Sequence, residues 1–160
     1  MCGIYGIVRR RPGPTPELDV LRRMGDVTVH RGPDDSGAFA ADGIAVGMRR
    51  LSIIDLESGH QPQSLRKELQ GHGHVFSTKS DSEVVLHAYA QWGDAFIDHI
   101  DGMFGFALVD KQRRRVIIAR DRLGIKPLYV HVTDEQVVFA SEAKAIFESG
   151  LAPEIDPVAL

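Results

Sequence analysis

The stretch MCGIYGIV, residues 1–8, decides the fold because it predicts a strand that begins almost at the first residue. The chain breaks this strand at Pro12 to Pro14 and places its single cysteine at position 2. If Met1 is removed, the Cys2 thiol and a free α-amino group belong to one residue. An α-amino group has a pKa of about 7.7–8.0, so it can act as a base toward the thiol. The alternative for a lone cysteine is a small buried apolar side chain.

The residues after the first strand predict a helix and then a hairpin. Thr15 is expected to cap the helix, with Pro16 at its first position, and Gly25 is expected to end it. Phe39 and then residues 44–54 predict two strands, joined by a tight turn at Asp42-Gly43.

The middle of the chain predicts two helices with a short strand between them. The first helix is expected over Ser64–Gln70 and the strand over His74–Thr78. Ser80 and Glu83 have the spacing of a capping box, so a second, largely buried helix is expected to begin there.

Two hairpins and a helix complete the pattern. One hairpin pairs residues 104–110 with 116–120, and the other pairs 128–131 with 137–140. Ser141 is expected to cap the last helix, which ends at Gly150. Hairpins give antiparallel sheets and the helices lie between strand groups, so the fold class is α+β.

Composition limits the function classes. A length of 160 residues suits one domain, predicted over residues 1–150, with residues 151–160 as the start of a linker. The net charge of −3 argues against a nucleic-acid partner, and the basic runs at 9–11 and 113–115 are interpreted as solvated loop charge. No apolar run reaches membrane-spanning length and no signal peptide is present, so a cytoplasmic protein is expected.

Seven blocks of sequence, in this order, resemble one enzyme family. They are MCGIYGIV, HRGPDDSG, RRLSIIDLESGHQP, SDSEVVLHAYAQWG, DGMFGFALVD, ARDRLGIKPLY and FASEAKAI. The family is the class II glutamine amidotransferases, and the blocks look most like the glutaminase domain of glutamine-hydrolysing asparagine synthetase. The resemblance implies an N-terminal nucleophile hydrolase fold, a four-layer α/β/β/α sandwich of two antiparallel sheets.

The same resemblance implies a set of site residues. Cys2 would be the nucleophile that attacks L-glutamine and releases ammonia. Arg50, Asp81 and Ile53 match the family's glutamine-binding positions, and a guanidinium such as that of Arg50 suits a carboxylate. Asp81 has a structural alternative, since the first turn of a helix favours an acidic residue.

The active-site loop of the family is matched by Arg31 and Gly32. A surface salt bridge is the alternative for Arg31, and Gly32 is expected to let backbone approach the cysteine. Residues 121–129, DRLGIKPLY, identify the family but are expected to fix a turn and an ion pair. His72 and His74 are interpreted as standing alone on a short loop, so no metal site is predicted.

This sequence departs from the family between residues 62 and 65. The family carries a block there that ends in a motif of the type Asn-Gly-Glu-Ile-Tyr-Asn, whose asparagine and glycine form the oxyanion hole. Here Pro62 is followed almost at once by Leu65, so the oxyanion residues are unknown. Either residues of the encoded protein are missing from this sequence, or the gene encodes a shortened domain.

Three hypotheses follow for function. The leading one is a glutaminase domain that supplies ammonia for ATP-dependent asparagine synthesis from aspartate. On this hypothesis we expect no cofactor in this domain. ATP and Mg²⁺ are expected in a C-terminal synthetase domain in cis, and the full-length protein could form a homodimer. The second is a catalytically impaired domain with a regulatory or interaction role. The third is an amidotransferase with another acceptor, such as a sugar.

Overall fold

The computed structural model describes residues 2–50 and 60–152. The chain divides into two compact units, which are described separately. The first unit is Met1–Ser52 together with Phe104–Leu160, and the second is Ile53–Met103.

Seven antiparallel strands lie in the part of the first unit that the structure describes. They are β1 (Gly3–Arg9), β2 (Asp35–Ala41), β3 (Ile44–Arg50), β4 (Gly105–Asp110), β5 (Arg115–Arg120), β6 (Tyr129–Val132) and β7 (Gln136–Ala140). Five of them form a sheet in the order β2-β3-β1-β7-β6, and β4 and β5 form a second sheet. The predicted strand at the N-terminus is therefore the centre of the larger sheet.

Alternation along the strands builds the core of the first unit. Tyr5 and Ile7 of β1 are buried on one face of the sheet, together with Val138 and Ala140 of β7. Two helices cover this face: α1 (Leu18–Asp26) contacts β1 and β3, and α4 (Ala143–Phe147) contacts β7. The second sheet meets the larger sheet through a contact between β4 and β1.

The three predicted hairpins are confirmed. The turn between β2 and β3 uses Asp42 at φ 52° and Gly43 at φ 80°, the left-handed pair that a two-residue turn requires. After β5, the buried Asp121 carboxylate accepts hydrogen bonds from the backbone N–H groups of Ile125 (2.8 Å) and Lys126 (2.9 Å). These bonds fix the turn that begins the DRLGIKPLY block.

The second unit is helical in the residues described. It contains α2 (His60–Gly71), α3 (Asp81–Trp92) and a 3-10 helix over Gly93–His99. Helix α3 contacts both of the others. Apolar side chains buried in this unit are Leu65, Leu69, Val84, Ala88 and Phe96. Only two of them belong to α3, so that helix is less buried than predicted.

The predicted strand over residues 74–78 is wrong, because its backbone donors bind a side chain instead of a neighbouring strand. The N–H groups of Ser77 and Thr78 each donate to the Glu83 carboxylate at 2.7 Å. Glu83 therefore does not form the predicted capping box. Ser80 still caps α3 as predicted, because its hydroxyl accepts from the Ser82 N–H.

Two other predicted caps are wrong, and α2 begins earlier than expected. The Thr15 hydroxyl accepts from the Gly43 N–H, while α1 begins at Leu18. The Ser141 hydroxyl accepts from the Ile4 N–H at 3.0 Å, so it extends the contact of β7 with β1. Helix α2 begins at His60, and Pro62 is compatible with its first turn because the N–H groups there have no intrahelical acceptor.

Candidate active site

Cys2 lies directly before β1, at the end of the central strand of the larger sheet, and it is exposed. Gly3 pairs with Arg49 in the antiparallel register of β1 and β3. Continuing this register by one residue places Cys2 opposite Arg50, the last residue of β3. The structure therefore brings the predicted nucleophile and the predicted carboxylate-binding arginine to neighbouring strand ends.

The faces of the sheet agree with this placement. Arg49 is directed to the helical face, where its Nε donates to the Gly25 carbonyl (3.0 Å) and its Nη2 pairs with Asp26 (3.0 Å). Successive side chains of a strand alternate, so the exposed Arg50 belongs to the other face. Gly3 and Tyr5 of β1 belong to the helical face. Cys2, one residue before Gly3, therefore shares the face of Arg50.

Arg31 lies beside the nucleophile position. Its Nε is 3.5 Å from the carbonyl oxygen of Cys2, and its Nη1 donates to Glu142 Oε1 at 3.2 Å. Arg31 lies along β1 where Gly3 has no side chain, since a Cβ there would be 3.3 Å from Arg31 Cδ. The salt bridge considered for Arg31 is thus present, but the side chain is only 12% exposed, so it is not a surface pair.

Glu142 is a site residue that the sequence did not single out. Its carboxylate contacts His30 Nε2 at 2.7 Å and Lys144 Nζ at 3.0 Å in addition to Arg31. Burial opposes ionisation, but hydrogen bonds from Lys144, His30 and Arg31 outweigh it and lower the pKa of Glu142 to about 2. The signal in the sequence that could have identified Glu142 is its position as an acidic residue just after β7, the strand beside β1.

Gly32 lies against the backbone of β3. A Cβ on Gly32 would lie 2.5 Å from the Arg49 carbonyl carbon and from the Arg50 backbone nitrogen. The missing side chain thus lets the loop approach β3, and its predicted approach to the cysteine stays a prediction. The Asp34 N–H donates to the Arg50 carbonyl at 3.2 Å and anchors the same loop.

The remaining predicted residues lie elsewhere in the chain. Asp81 is the exposed first residue of α3, in the second unit. Ile53 lies outside the described residues. His74 does not stand alone as expected, because its Nδ1 is 2.9 Å from His87 Nδ1 and its Nε2 is 2.8 Å from Gln91 Oε1. Within residues 2–50 and 60–152 there is no cluster of three His, Cys, Asp or Glu side chains that could hold a metal.

Comparison with known proteins decides the family. The model of the glutamine amidotransferase domain family matches residues 1–160. The chain belongs to this family. The amidotransferase domain is 37% identical to asparagine synthetase [glutamine-hydrolyzing] 3 of Bacillus subtilis over 91% of the chain and 27% of that protein. It is 36% identical to asparagine synthetase B of Escherichia coli over 91% of the chain and 30% of that protein.

The fold is shared with a solved amidotransferase of another kind. Glutamine phosphoribosylpyrophosphate amidotransferase of B. subtilis superimposes with a TM-score of 0.69 at 18% sequence identity, over 93% of this chain and 44% of that one. This likeness confirms the predicted N-terminal nucleophile hydrolase fold class, an α+β domain with two antiparallel sheets.

The relatives are longer than this chain within the matched region. The match to asparagine synthetase 1 of B. subtilis extends over 181 positions and covers the whole chain of 160 residues, so the relative has at least 21 additional residues there. The missing block that the sequence predicts between Pro62 and Leu65 requires such a difference in length. In the amidotransferase domain, residues 60–71 form one helix across this junction.

Two further findings concern the helices of the amidotransferase domain and its length. None of the helices within residues 2–50 and 60–152 has the length and apolar character needed to span a membrane. The domain spans 27–30% of the length of the asparagine synthetases named above.

Proposed function

We propose that this amidotransferase domain hydrolyses L-glutamine to glutamate and ammonia with Cys2 as the nucleophile. One observation carries the proposal: the only cysteine is exposed at the start of the central strand, directly across from Arg50 and within reach of Arg31. This arrangement combines a thiol, a cation suited to the substrate's carboxylate, and a second cation that holds the backbone at the nucleophile.

The proposed reaction needs the α-amino group of Cys2, so Met1 must first be removed. The amine then takes the thiol proton, and the thiolate attacks the side-chain carboxamide carbon of glutamine. The tetrahedral intermediate collapses as the C–N bond breaks and the amine returns the proton to the departing ammonia. A γ-glutamyl thioester remains. Water attacks its carbonyl carbon, the C–S bond breaks, and glutamate is released with the thiol restored.

Substrate binding is proposed to divide between a cation and an anion. The Arg50 guanidinium can grip both oxygens of the α-carboxylate of glutamine. Asp81 would pair with the α-ammonium group, and Ile53 would complete the binding residues. Arg31, held by Glu142, is proposed to fix the Cys2 backbone, and it is therefore a positioning residue.

The ammonia is proposed to serve asparagine synthesis from aspartate in a longer protein. Several relatives are named as glutamine-hydrolysing asparagine synthetases, and these proteins are more than three times as long as the matched region. ATP and Mg²⁺ would act in a synthetase domain that follows this one, and no residue of this chain is assigned to them. A cytoplasmic location and a homodimer of the full-length protein remain predictions.

The length difference favours a second candidate, a domain that keeps the fold but is catalytically impaired. If the missing block is a genuine deletion, this domain lacks the oxyanion hole that the relatives' additional residues would include. Such a domain would act in regulation or in binding a partner.

One experiment separates the two candidates. Release of glutamate from glutamine is measured with protein whose loss of Met1 is verified by mass spectrometry, beside the matched variant Cys2→Ala. Turnover in the unsubstituted protein alone supports the glutaminase. Equal rates in both proteins would show that the domain is catalytically impaired.

A second experiment tests the acceptor. In the full-length protein, aspartate and a sugar phosphate are compared as acceptors, and amination of the sugar would overturn the proposal of asparagine synthesis.

A further inference from the structure

A cleft of about 290 Å³ lies at the end of β1 away from Cys2. Its lining comes from the end of β1, the turn between β2 and β3, and the turn between β4 and β5. Strand β1 has seven residues, which at roughly 3.3 Å per residue places the cleft roughly 20 Å from the nucleophile. The cleft is therefore separate from the candidate active site.

The cleft brings the basic run at 9–11 together with Arg114 of the run at 113–115, although the two runs are far apart in sequence. Five cationic side chains line it, contributed by Arg9, Arg10, Arg11, Lys111 and Arg114. The same lining holds only two carboxylates, Asp42 and Asp110, so its formal charge is +3 although the chain as a whole carries −3. The predicted solvated loop charge is thus concentrated at one place.

The cations of the cleft have no anionic partner within the residues that the structure describes. Arg9 donates to the Gln136 side-chain oxygen at 3.0 Å and Arg10 to the Thr133 carbonyl at 2.9 Å. Lys111 Nζ lies over the Phe39 ring, 4.5 Å from its centroid. Asp110, the acidic residue nearest to them in sequence, accepts from the Arg113 N–H at 2.9 Å.

Arg9, which lines the cleft, has one feature that no other described residue shares. Its Nε is buried and has no hydrogen-bond partner, and no other buried side-chain nitrogen or oxygen of the described residues is in that state. A buried donor without an acceptor is destabilising, and such groups are rare in folded proteins.

We propose that this cleft binds a small phosphate-bearing molecule, with phosphate oxygens accepting from the guanidinium groups that line it. A phosphate group carries about −1.5 to −2 charges at neutral pH and offers three acceptor oxygens, so it suits a site of charge +3 better than a single carboxylate does. The volume is at the lower end of small-molecule sites, which favours a ligand of few atoms besides the phosphate. The ring of Phe39 gives it an apolar wall.

The test is titration calorimetry with inorganic pyrophosphate and with inorganic phosphate, at low salt and at 0.15 M salt, on the 160-residue chain. The double variant Arg11→Gln, Arg114→Asn removes two exposed cations, and asparagine tolerates the positive φ of 52° at position 114. The matched control is Arg22→Gln, Lys79→Gln, which removes the same charge elsewhere on the surface. Circular dichroism verifies that all three proteins are folded.

Pyrophosphate is expected to bind the unsubstituted protein and the control equally, and to bind the double variant at least tenfold more weakly. A second variant, Arg9→Lys, keeps the charge but removes the guanidinium fork, and it should also weaken binding. No binding at either salt concentration overturns the proposal, as does equal weakening in the control, which would indicate nonspecific attraction to surface cations. Binding of a polyglutamate peptide without binding of pyrophosphate would overturn it in favour of an acidic protein partner.

Discussion

At the scale of single residues, Glu142 joins the cations of the candidate active site. It accepts from Arg31, His30 and Lys144, and Arg31 in turn reaches the carbonyl of Cys2. The backbone of Cys2, the proposed nucleophile, therefore depends on a carboxylate 140 positions away in the chain. A residue of this kind affects both stability and the placement of Cys2.

Replacing Glu142 with glutamine is expected to lower the free energy of unfolding by about 1–3 kcal/mol, because the largely buried Arg31 loses a charged acceptor. Urea unfolding measures this change. The matched control is Asp19→Asn, which breaks an exposed pair with Arg22 at 3.8 Å and should change the free energy by less than about 1 kcal/mol. Equal effects in both variants would show that Glu142 contributes no more than a surface pair.

The pKa of Glu142 predicts how acid destabilises the domain. Its pKa is about 2 in the folded protein against 4.5 for the ordinary group, so the folded state favours the ionised carboxylate. The stability it contributes is complete above pH 4.5 and is lost as the pH falls from 4.5 to about 2. Thermal unfolding of the unsubstituted protein and of Glu142→Gln should differ at pH 6 and converge across that window. A difference that stays constant down to pH 2 contradicts the assignment.

Replacing Arg50 with alanine is expected to raise the KM for glutamine roughly 10–100-fold, since charge-assisted hydrogen bonds to the substrate's carboxylate are lost. Steady-state glutaminase kinetics measure the change, with Arg50→Lys as the variant that keeps the charge but loses the guanidinium fork. Lysine should give an intermediate KM. If alanine leaves KM unchanged, Arg50 does not bind the carboxylate.

At the scale of elements, the end of β3 is positioned by the loop that carries Arg31. Gly32 lies against the backbone of Arg49 and Arg50, and the Asp34 N–H donates to the Arg50 carbonyl. The loop and the end of β3 thus pack directly against each other. A displacement of the loop would therefore displace Arg50, the proposed substrate-binding arginine.

Replacing Gly32 with alanine should therefore destabilise the domain by about 1–3 kcal/mol and reduce glutaminase activity, because the new Cβ meets backbone that cannot rotate away. Thermal unfolding and the glutaminase assay measure the two effects. Gly37→Ala is the matched control within β2, where a Cβ would meet its nearest atom, Met48 Cγ, at an ordinary 3.5 Å. It should leave both quantities nearly unchanged, and parity between the two variants would refute the close approach.

At the scale of the whole molecule, the length difference from the relatives predicts how active the domain is. A glutaminase that lacks one oxyanion donor is expected to lose roughly 10²–10³-fold in kcat. Inserting the corresponding segment of E. coli asparagine synthetase B between Pro62 and Leu65 should restore this factor, whereas a glycine-serine insert of equal length should not. A chimera no faster than the parent chain would mean that the oxyanion hole is built elsewhere.

Local signals account for the elements that the sequence predicted correctly. Alternating apolar residues and Asp42-Gly43 turn chemistry are properties of neighbouring residues, so the strands and hairpins follow from them. Where a polar side chain had two available partners, the prediction failed. Ser141 binds β1 instead of capping α4, and Glu83 takes the backbone donors of the predicted strand over 74–78.

The sequence by itself determined the family and the strand that begins at Gly3, because both are written in consecutive residues. Tertiary structure alone decided which distant residues meet. It placed Glu142 against Arg31, and it brought the runs at 9–11 and 113–115 to one cleft through Arg9, Arg10, Arg11 and Arg114. The physical reason is that sheet pairing connects positions without regard to their separation along the chain, whereas composition and spacing describe only near neighbours.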